Sequence, residues 1–239
     1  MPIIAILVVV GLLLLCVVGG LVGLLLPAIS AAREAARRSA CSNNLRQIGL
    51  GLHAYTDVWA SLPPAYTVDT SGRPLHSWRV LILPFMDYGG LYDQIRLDEP
   101  WDSPHNAALA AQMPVAFRCP SHEEDGQFHT HYLAVVGPDT VFTGTESPRL
   151  SSILDGLSNT IAVVESTESA HWMEPRDMAF EGMSFTINDP GGRALGSEHP
   201  GGVSILMCDD SVRFLLDDTL PETVRQLLLR DDGAIVEQF

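Results

Sequence analysis

Three short stretches gather most of the side chains able to do acid–base or metal chemistry. The segment SHEEDGQFHTHY at 121–132 carries His122, Glu123, Glu124, Asp125, His129 and His131. Imidazole and carboxylate donors of this kind ligate divalent ions. Their spacing matches no metal motif, so a solvated polar loop competes with the metal reading. His199 is separated from Asp209 by nine residues. The two would meet at a strand end as a metal or hydrogen-bonded site; the alternative is a histidine satisfied by a turn carboxylate, with His199-Pro-Gly-Gly as a tight turn. The third stretch, LDEPWDSPHN at 97–106, places Asp98, Glu99, Trp101, Asp102, His105 and Asn106 together. It reads as a structural clasp, with Asp102 accepting from a helix-start N–H and Trp101 anchoring the loop. The alternatives are a recognition surface or Ca²⁺ ligation by oxygens.

Catalytic signatures are missing from the sequence. There is no G-x-S-x-G elbow, no H-E-x-x-H helix, no phosphate-binding glycine loop and no C-x-x-C pair. We therefore expect no enzyme, no catalytic residue and no cofactor. His199, Asp209, His122, His129 and His131 remain the metal candidates, and a metal-dependent hydrolase built on them is the enzymatic alternative. Cys16 falls in an apolar run and Cys208 in a strand-like one, so both read as packing residues.

The elements that must position these residues are of two unlike kinds. The 239-residue chain is 46% hydrophobic, yet it carries a net charge of −15, with 29 acidic residues against 14 Arg and no Lys. This balance excludes a mainly nucleic-acid partner, which needs a basic footprint. The apolar content excludes a disordered chain. No charge occurs over 2–32, and residues 3–26 are almost purely aliphatic. A helix of that length covers about 36 Å, enough to cross a ~30 Å hydrocarbon core. No basic residue precedes the run, and the run is long for a cleaved signal, so the sequence predicts a retained anchor over 1–32 that meets lipid through 3–26. Gly19 and Gly23 form a small-xxx-small pair suited to helix–helix packing. Residues 1–46 hold four Arg and one Glu, a net +3, and the remainder is −18. By charge bias alone the C-terminal side would face the cytoplasm.

Beyond Pro27, a kink point, the sequence continues as helix to about residue 60. Leu45, Ile48, Leu52, Tyr55 and Trp59 form one apolar stripe, and Ser-Leu-Pro-Pro at 61–64 ends it. Segment 77–86 is apolar and ambiguous between helix and strand. Ser103 with Pro104 marks a helix start. Strands are expected over 132–136, 160–165, 203–208 and 211–216, the last two as a hairpin through Asp209-Asp210, with a short helix over 220–230. The pattern predicts an α+β domain over 33–239, with a helical stalk over 33–60, a mostly antiparallel sheet and no internal repeat.

The run LLLPAISAAREAARRSACSNNLRQIGLGLHAY at 24–55 resembles the start of the DUF1559 family of bacterial pilin-like proteins. The resemblance continues through SWRVLILPFMDYGGLYDQIRLDEPWDSPHN, FRCPS, YLAVVGPDTVFTG and ILDGLSNTIAVVES. It closes with HPGGVSILMCDDSVRFL at 199–215, similar to the family's C-terminal H-X9-DG element, which sets a hairpin over 199–216. Two positions depart from the family pattern. Val10 stands where the prepilin-type segment has its Glu, with Ala5 and Ile6 in place of Gly-Phe, and Asp210 replaces the Gly of the DG pair. The resemblance implies a pilin-like fold with the long helix packed on the sheet. It also implies a single pass through the inner membrane with the domain periplasmic or at the cell surface, opposite to the charge-bias reading; we follow the family. For an exported domain, Cys41 and Cys119 in the CSNNL and FRCPS motifs are the candidate disulfide, with two buried free thiols as the alternative. The function implied is a non-catalytic, pilin- or pseudopilin-like structural or assembly protein (type II secretion-like) that associates with itself or with other such subunits. The alternative is an anchored extracytoplasmic binding module, for a sugar, a metal or an envelope protein, that enters no filament.

Overall fold

The computed structural model describes residues 2–122, 127–191, 193–234 and 236. Over 2–24 it describes the side chains of 3, 7, 11, 13–15, 19, 20 and 23 alone. Glu123, Glu124 and Asp125 of the histidine loop therefore lie outside the described residues, as do the side chains of Val10 and Cys16. The chain divides into two units, Met1–Ser39 and Ala40–Phe239.

The first unit is the leading part of helix α1 (Pro2–Trp59), which continues past Pro27. Ile3, Leu7, Leu13, Leu14, Leu15, Leu25 and Leu26 are all more than half exposed. Glu34 and Arg37 pair one turn apart on its charged end. Among the described residues no helix is long and apolar enough to cross a membrane. The expected anchor over 3–26 falls mostly on side chains outside the described residues.

In the second unit α1 buries the expected stripe. Cys41, Leu45, Ile48 and Leu52 are at most 3% exposed, each Leu or Ile contributing ~1.5–3 kcal/mol of burial. Gly49 and Gly51 allow the close approach: a Cβ at Gly49 would stand 2.9 Å from Leu206 Cδ1, and one at Gly51 2.7 Å from Met86 Cγ. The stripe is one residue shorter than expected. Trp59 is 62% exposed, tilted against Tyr55 with ring centroids 6.1 Å apart, and Ala60 then turns the chain at φ 57°.

The chain continues through β1 (Tyr66–Val68), β2 (Pro74–Ser77), α2 (Trp78–Leu81), a 3-10 turn (Leu83–Met86), α3 (Gly89–Tyr92) and α4 (Pro104–Ala108). The ambiguous 77–86 segment is therefore helical over Trp78–Leu81 and Leu83–Met86, with Ser77 closing β2. β3 (His129–Leu133), β4 (Val135–Val136), β5 (Ile161–His171), β6 (Met178–Ala179), β7 (Gly202–Met207), β8 (Val212–Leu216) and α5 (Pro221–Leu228) follow. The main sheet is antiparallel in the order β3-β5-β7-β8, with a small antiparallel β1-β2 pair and a parallel β4-β6 pair beside it. The fold is thus the expected α+β class, a long N-terminal helix with antiparallel sheets.

β7 is buried along its whole length because both faces of the sheet are covered. Val203, Ile205 and Met207 join Val224, Leu227 and Leu228 of α5 in one apolar cluster. Leu206 and Cys208 join the α1 stripe in the other. The period-2 alternation of a strand sends successive side chains to opposite layers. The β7–β8 turn survives without its Gly because Asp210 takes the left-handed conformation at φ 65°.

A buried ion pair that the sequence did not announce ties the layers together. Arg79 of α2 is fully buried and meets Asp177 at 2.7 Å. It also donates to the carbonyls of Trp172, Glu174 and Arg176 at 2.9–3.1 Å. Asp177 Oδ1 additionally accepts from Trp78 Nε1 and the Ala134 amide. Burial pushes the Asp177 carboxyl up, and Arg79 opposes that push.

Candidate functional site

One cluster of reactive side chains sits inside the second unit, supplied by four separate pieces of chain. α1 carries Cys41 on its buried stripe, with Asn44 one turn on. Cys119 follows the 3-10 turn Val115–Phe117, whose Phe117 is locked in the core. Glu165 lies in β5, opposite Tyr132 of β3, in a run of six buried residues. His199 stands in the turn that leads into β7.

Cys119 Sγ donates to Glu165 Oε1 at 3.0 Å. His199 Nε2 lies 3.7 Å from the same oxygen, and both side chains are fully buried. One donor atom from each of Cys41, Cys119, Glu165 and His199 lies within 4.8 Å of all the others. Among the described residues no other group of three or more His, Cys, Asp or Glu gathers this way. Asn44 Nδ2 donates to the Arg118 carbonyl at 2.8 Å and reaches Tyr132 Oη at 3.4 Å. These contacts fix the chain next to Cys119 and the phenol beside the cluster.

Burial, reinforced by the Cys119 thiol, lifts the Glu165 carboxyl to about 9, against the pull of His199. The hydrogen bond with Cys41, then burial, lifts the Cys119 thiol to about 12. Burial raises the Tyr132 phenol too. A catalytic cysteine needs the reverse, a depressed pKa and access to substrate. This thiol, 1% exposed, is inert as a nucleophile although a His and a Glu stand beside it. The arrangement suits two other chemistries: joining the two sulfurs, or presenting four donors to an ion. In the structure Cys41, Cys119 and Cys208 are free thiols.

The expected sites are redistributed. His199 meets Glu165, whereas the exposed Asp209 caps its own turn by accepting from the Ser211 amide and hydroxyl at 3.0 and 2.6 Å. The expected His199–Asp209 facing pair is thus replaced by a His199–Glu165 pair. The hairpin carboxylate that reaches another element is Asp210, 3.0 Å from His53 Nδ1 of α1. His122 stacks on His131 with centroids 3.5 Å apart, and His131 Nδ1 donates to the Ser166 carbonyl. His129 instead meets His171 edge-on at 6.1 Å. The loop histidines therefore split into two aromatic contacts.

The 97–106 clasp is built by Asn106, not by Asp102. Its Oδ1 accepts from the Arg96 amide, and its Nδ2 donates to the carbonyls of Arg96, Glu99 and Pro100. Ser103 caps α4 as expected, with Pro104 in the first turn, and Trp101 packs on the core. Cys208 lies in the core, and burial pushes its thiol up. Gly19 and Gly23 have open space around them.

Sequence reasoning missed Glu165 altogether. The one available signal was an acidic residue closing a Val-rich strand, IAVVES, where a solvated carboxylate would be out of place.

The model of the family described as "protein of unknown function (DUF1559)" matches residues 30–133. The match contains Cys41 and Cys119, whereas Glu165, His199 and the C-terminal hairpin lie outside it. No curated protein and no solved structure matches the chain.

Proposed function

We propose that this chain, a member of the DUF1559 family through residues 30–133, is a membrane-anchored, pilin- or pseudopilin-like structural or assembly protein of the bacterial envelope, without catalytic activity. The observation that carries the reading is α1. It is one 58-residue helix whose second part is packed into an α+β head, while its first part presents bare aliphatic side chains. Exposed apolar surface on that scale needs lipid or protein to cover it, and the uncharged 3–26 run suits lipid. By the family resemblance rather than the charge bias, the head lies on the periplasmic or outer side of the inner membrane. Gly19 and Gly23, with nothing from another described part of the chain within 4 Å of an added Cβ, are the positions at which a second helix would approach.

The test is cross-linking of the full-length protein in its native membrane through Gly19→Cys. A self-adduct, or an adduct with another pilin-like subunit, is expected, and Gly23→Ile should reduce it. A protein that alkaline carbonate extracts from membranes, or that yields no adduct, refutes the subunit reading. Val10 at the place of the prepilin-type Glu favours a second reading, an anchored extracytoplasmic binding module. Carbonate resistance without any helix adduct would select it.

A further inference from the structure

We propose that Cys41, Cys119, Glu165 and His199 are the four ligands of a structural Zn²⁺ ion that staples α1 to the sheet of the head. Two sulfurs, one imidazole and one carboxylate are a donor set for a borderline-soft ion. Ca²⁺ and Mg²⁺ demand oxygen ligands, and this cluster has a single carboxyl to give. Four protein ligands closed to solvent are the mark of a structural zinc site, since a catalytic one keeps a position open. All four side chains here are buried, at no more than 2% exposure.

The spacing fits. Zn–S bonds of ~2.3 Å and Zn–N or Zn–O bonds of ~2.0–2.2 Å put tetrahedral donors roughly 3.3–3.8 Å apart. The cluster has donor pairs at 3.0 and 3.7 Å, and none beyond 4.8 Å. The widest pair therefore closes by at most about 1 Å on loading, within the reach of side-chain rotation. Asn44 and Tyr132 brace the Cys119 side of the cluster, as outer-layer hydrogen bonds do around metal ligands.

The competing use of the two sulfurs is a Cys41–Cys119 disulfide, and the neighbours argue against it. Oxidation would remove the Cys119 S–H that now donates to Glu165 Oε1, leaving a fully buried carboxyl with one donor fewer. An ion satisfies all four groups at once. The ligands come from far-apart positions, so an ion joining them constrains the unfolded chain strongly, and its binding energy becomes folding energy. The inference concerns the head and holds whether or not the anchor enters a filament.

The experiment uses the full chain in mild detergent, grown with added Zn²⁺ and purified without chelator, with zinc counted by mass spectrometry. About one Zn²⁺ per chain is expected. Co²⁺ substitution should produce a thiolate-to-metal charge-transfer band that Cys41→Ser reduces to the intensity of a single thiolate or less. Cys119→Ser removes a ligand outright, and Glu165→Gln removes one while leaving an amide oxygen for Cys119. Each should weaken Zn²⁺ binding by at least ~100-fold, whereas His122→Ala should not change it. Glu165→Gln is the variant to rely on if the Ser variants fail to fold, with intact Trp fluorescence as its folding check. In the wild type, a chelator that strips the ion should lower Tm by at least ~5 °C. A zinc-free chain with a Cys41–Cys119 disulfide in its peptide map overturns the proposal. So does full zinc occupancy in a folded Glu165→Gln variant, or a Tm unmoved after zinc is stripped.

Discussion

Replacing Arg79 with Met is the most informative single perturbation of the head. Met fills the aliphatic part of the Arg79 volume, so packing loss is small and the effect is electrostatic. The change removes the 2.7 Å contact to Asp177 and takes a donor from the carbonyls of Trp172, Glu174 and Arg176, which Arg79 serves at 2.9–3.1 Å. Trp172 keeps the Ser77 hydroxyl at 3.2 Å and Glu174 the Arg176 amide at 2.8 Å, so the Arg176 carbonyl is the one stranded. Asp177 keeps the Trp78 indole and the Ala134 amide but loses its counter-charge in a site where it is 2% exposed. Breaking one side of a buried pair costs about 3–5 kcal/mol, and the stranded Arg176 carbonyl adds up to ~1 kcal/mol. We expect a loss of about 4–6 kcal/mol, a large fraction of the ~5–15 kcal/mol that holds an ordinary domain folded. Asp177→Asn should cost less, about 2–3 kcal/mol, because the amide oxygen still accepts from Trp78 and Ala134. The double variant Arg79→Met/Asp177→Asn should be more stable than the sum of the singles by about 1–3 kcal/mol, since no charge is then left unpaired. Equilibrium urea unfolding of the full chain in detergent measures this, with Trp78 and Trp172 as buried fluorescent reporters. A loss below ~1.5 kcal/mol for Arg79→Met, or strict additivity in the double variant, would refute the reasoning.

Three smaller predictions follow from backbone, packing and protonation. Asp210 holds φ 65° and pairs with His53 at 3.0 Å; Asp210→Ala should cost ~1–2 kcal/mol in thermal unfolding and Asp210→Gly clearly less, because Gly removes the strain although both lose the pair. Gly49→Val should cost ~1–3 kcal/mol, since its Cβ would stand 2.9 Å from Leu206 Cδ1 and 3.3 Å from Asp210 Oδ1; Gly89→Ala, with nothing within 4 Å, should stay within ~0.5 kcal/mol of wild type. His171, tilted over Trp101 at 4.6 Å, has its pKa lowered to about 4, first by burial and then by His129. The folded state resists this proton while the unfolded chain accepts it below pH ~6.5, so His171 favours folding above that pH and the benefit fades as pH falls toward 4. With the residue partly exposed, about 1 kcal/mol should be lost between pH 7 and 5. His171→Phe should flatten that part of the urea-midpoint profile, and an unchanged slope would assign it to other groups.

What was legible in the sequence was whatever repeats locally. The α1 stripe through Leu45, Ile48 and Leu52 announces itself by spacing, and the β7–β8 hairpin by two apolar runs around Asp209-Asp210. Ser103-Pro104 marks the α4 start by chemistry confined to one turn. Missed features depend on partners far along the chain. β5 runs on to His171, six residues past the expected end, because its polar second half pairs with His129 and Thr130 of β3, a contact no local pattern reveals. Arg79 sits in a segment that reads as apolar, and only Asp177 and the carbonyls around Trp172 to Arg176, more than ninety residues away, explain why a guanidinium is tolerated there. The donor cluster is the extreme case. Cys41 and Cys119 stand out through their motifs and His199 through its nine-residue spacing to Asp209, yet that spacing pointed to the wrong carboxylate. Asp209 is bound within its own turn, and the partner of His199 is fixed by the sheet order, which lays β5 beside β7 and carries Glu165 under the turn that leads into β7. A buried acid in an otherwise apolar central strand is costly unless something on the neighbouring elements answers it. Here the answer comes from two thiols and an imidazole on three other pieces of chain. That convergence makes Glu165, the one member with no motif of its own, the residue on which the chemistry of the head turns.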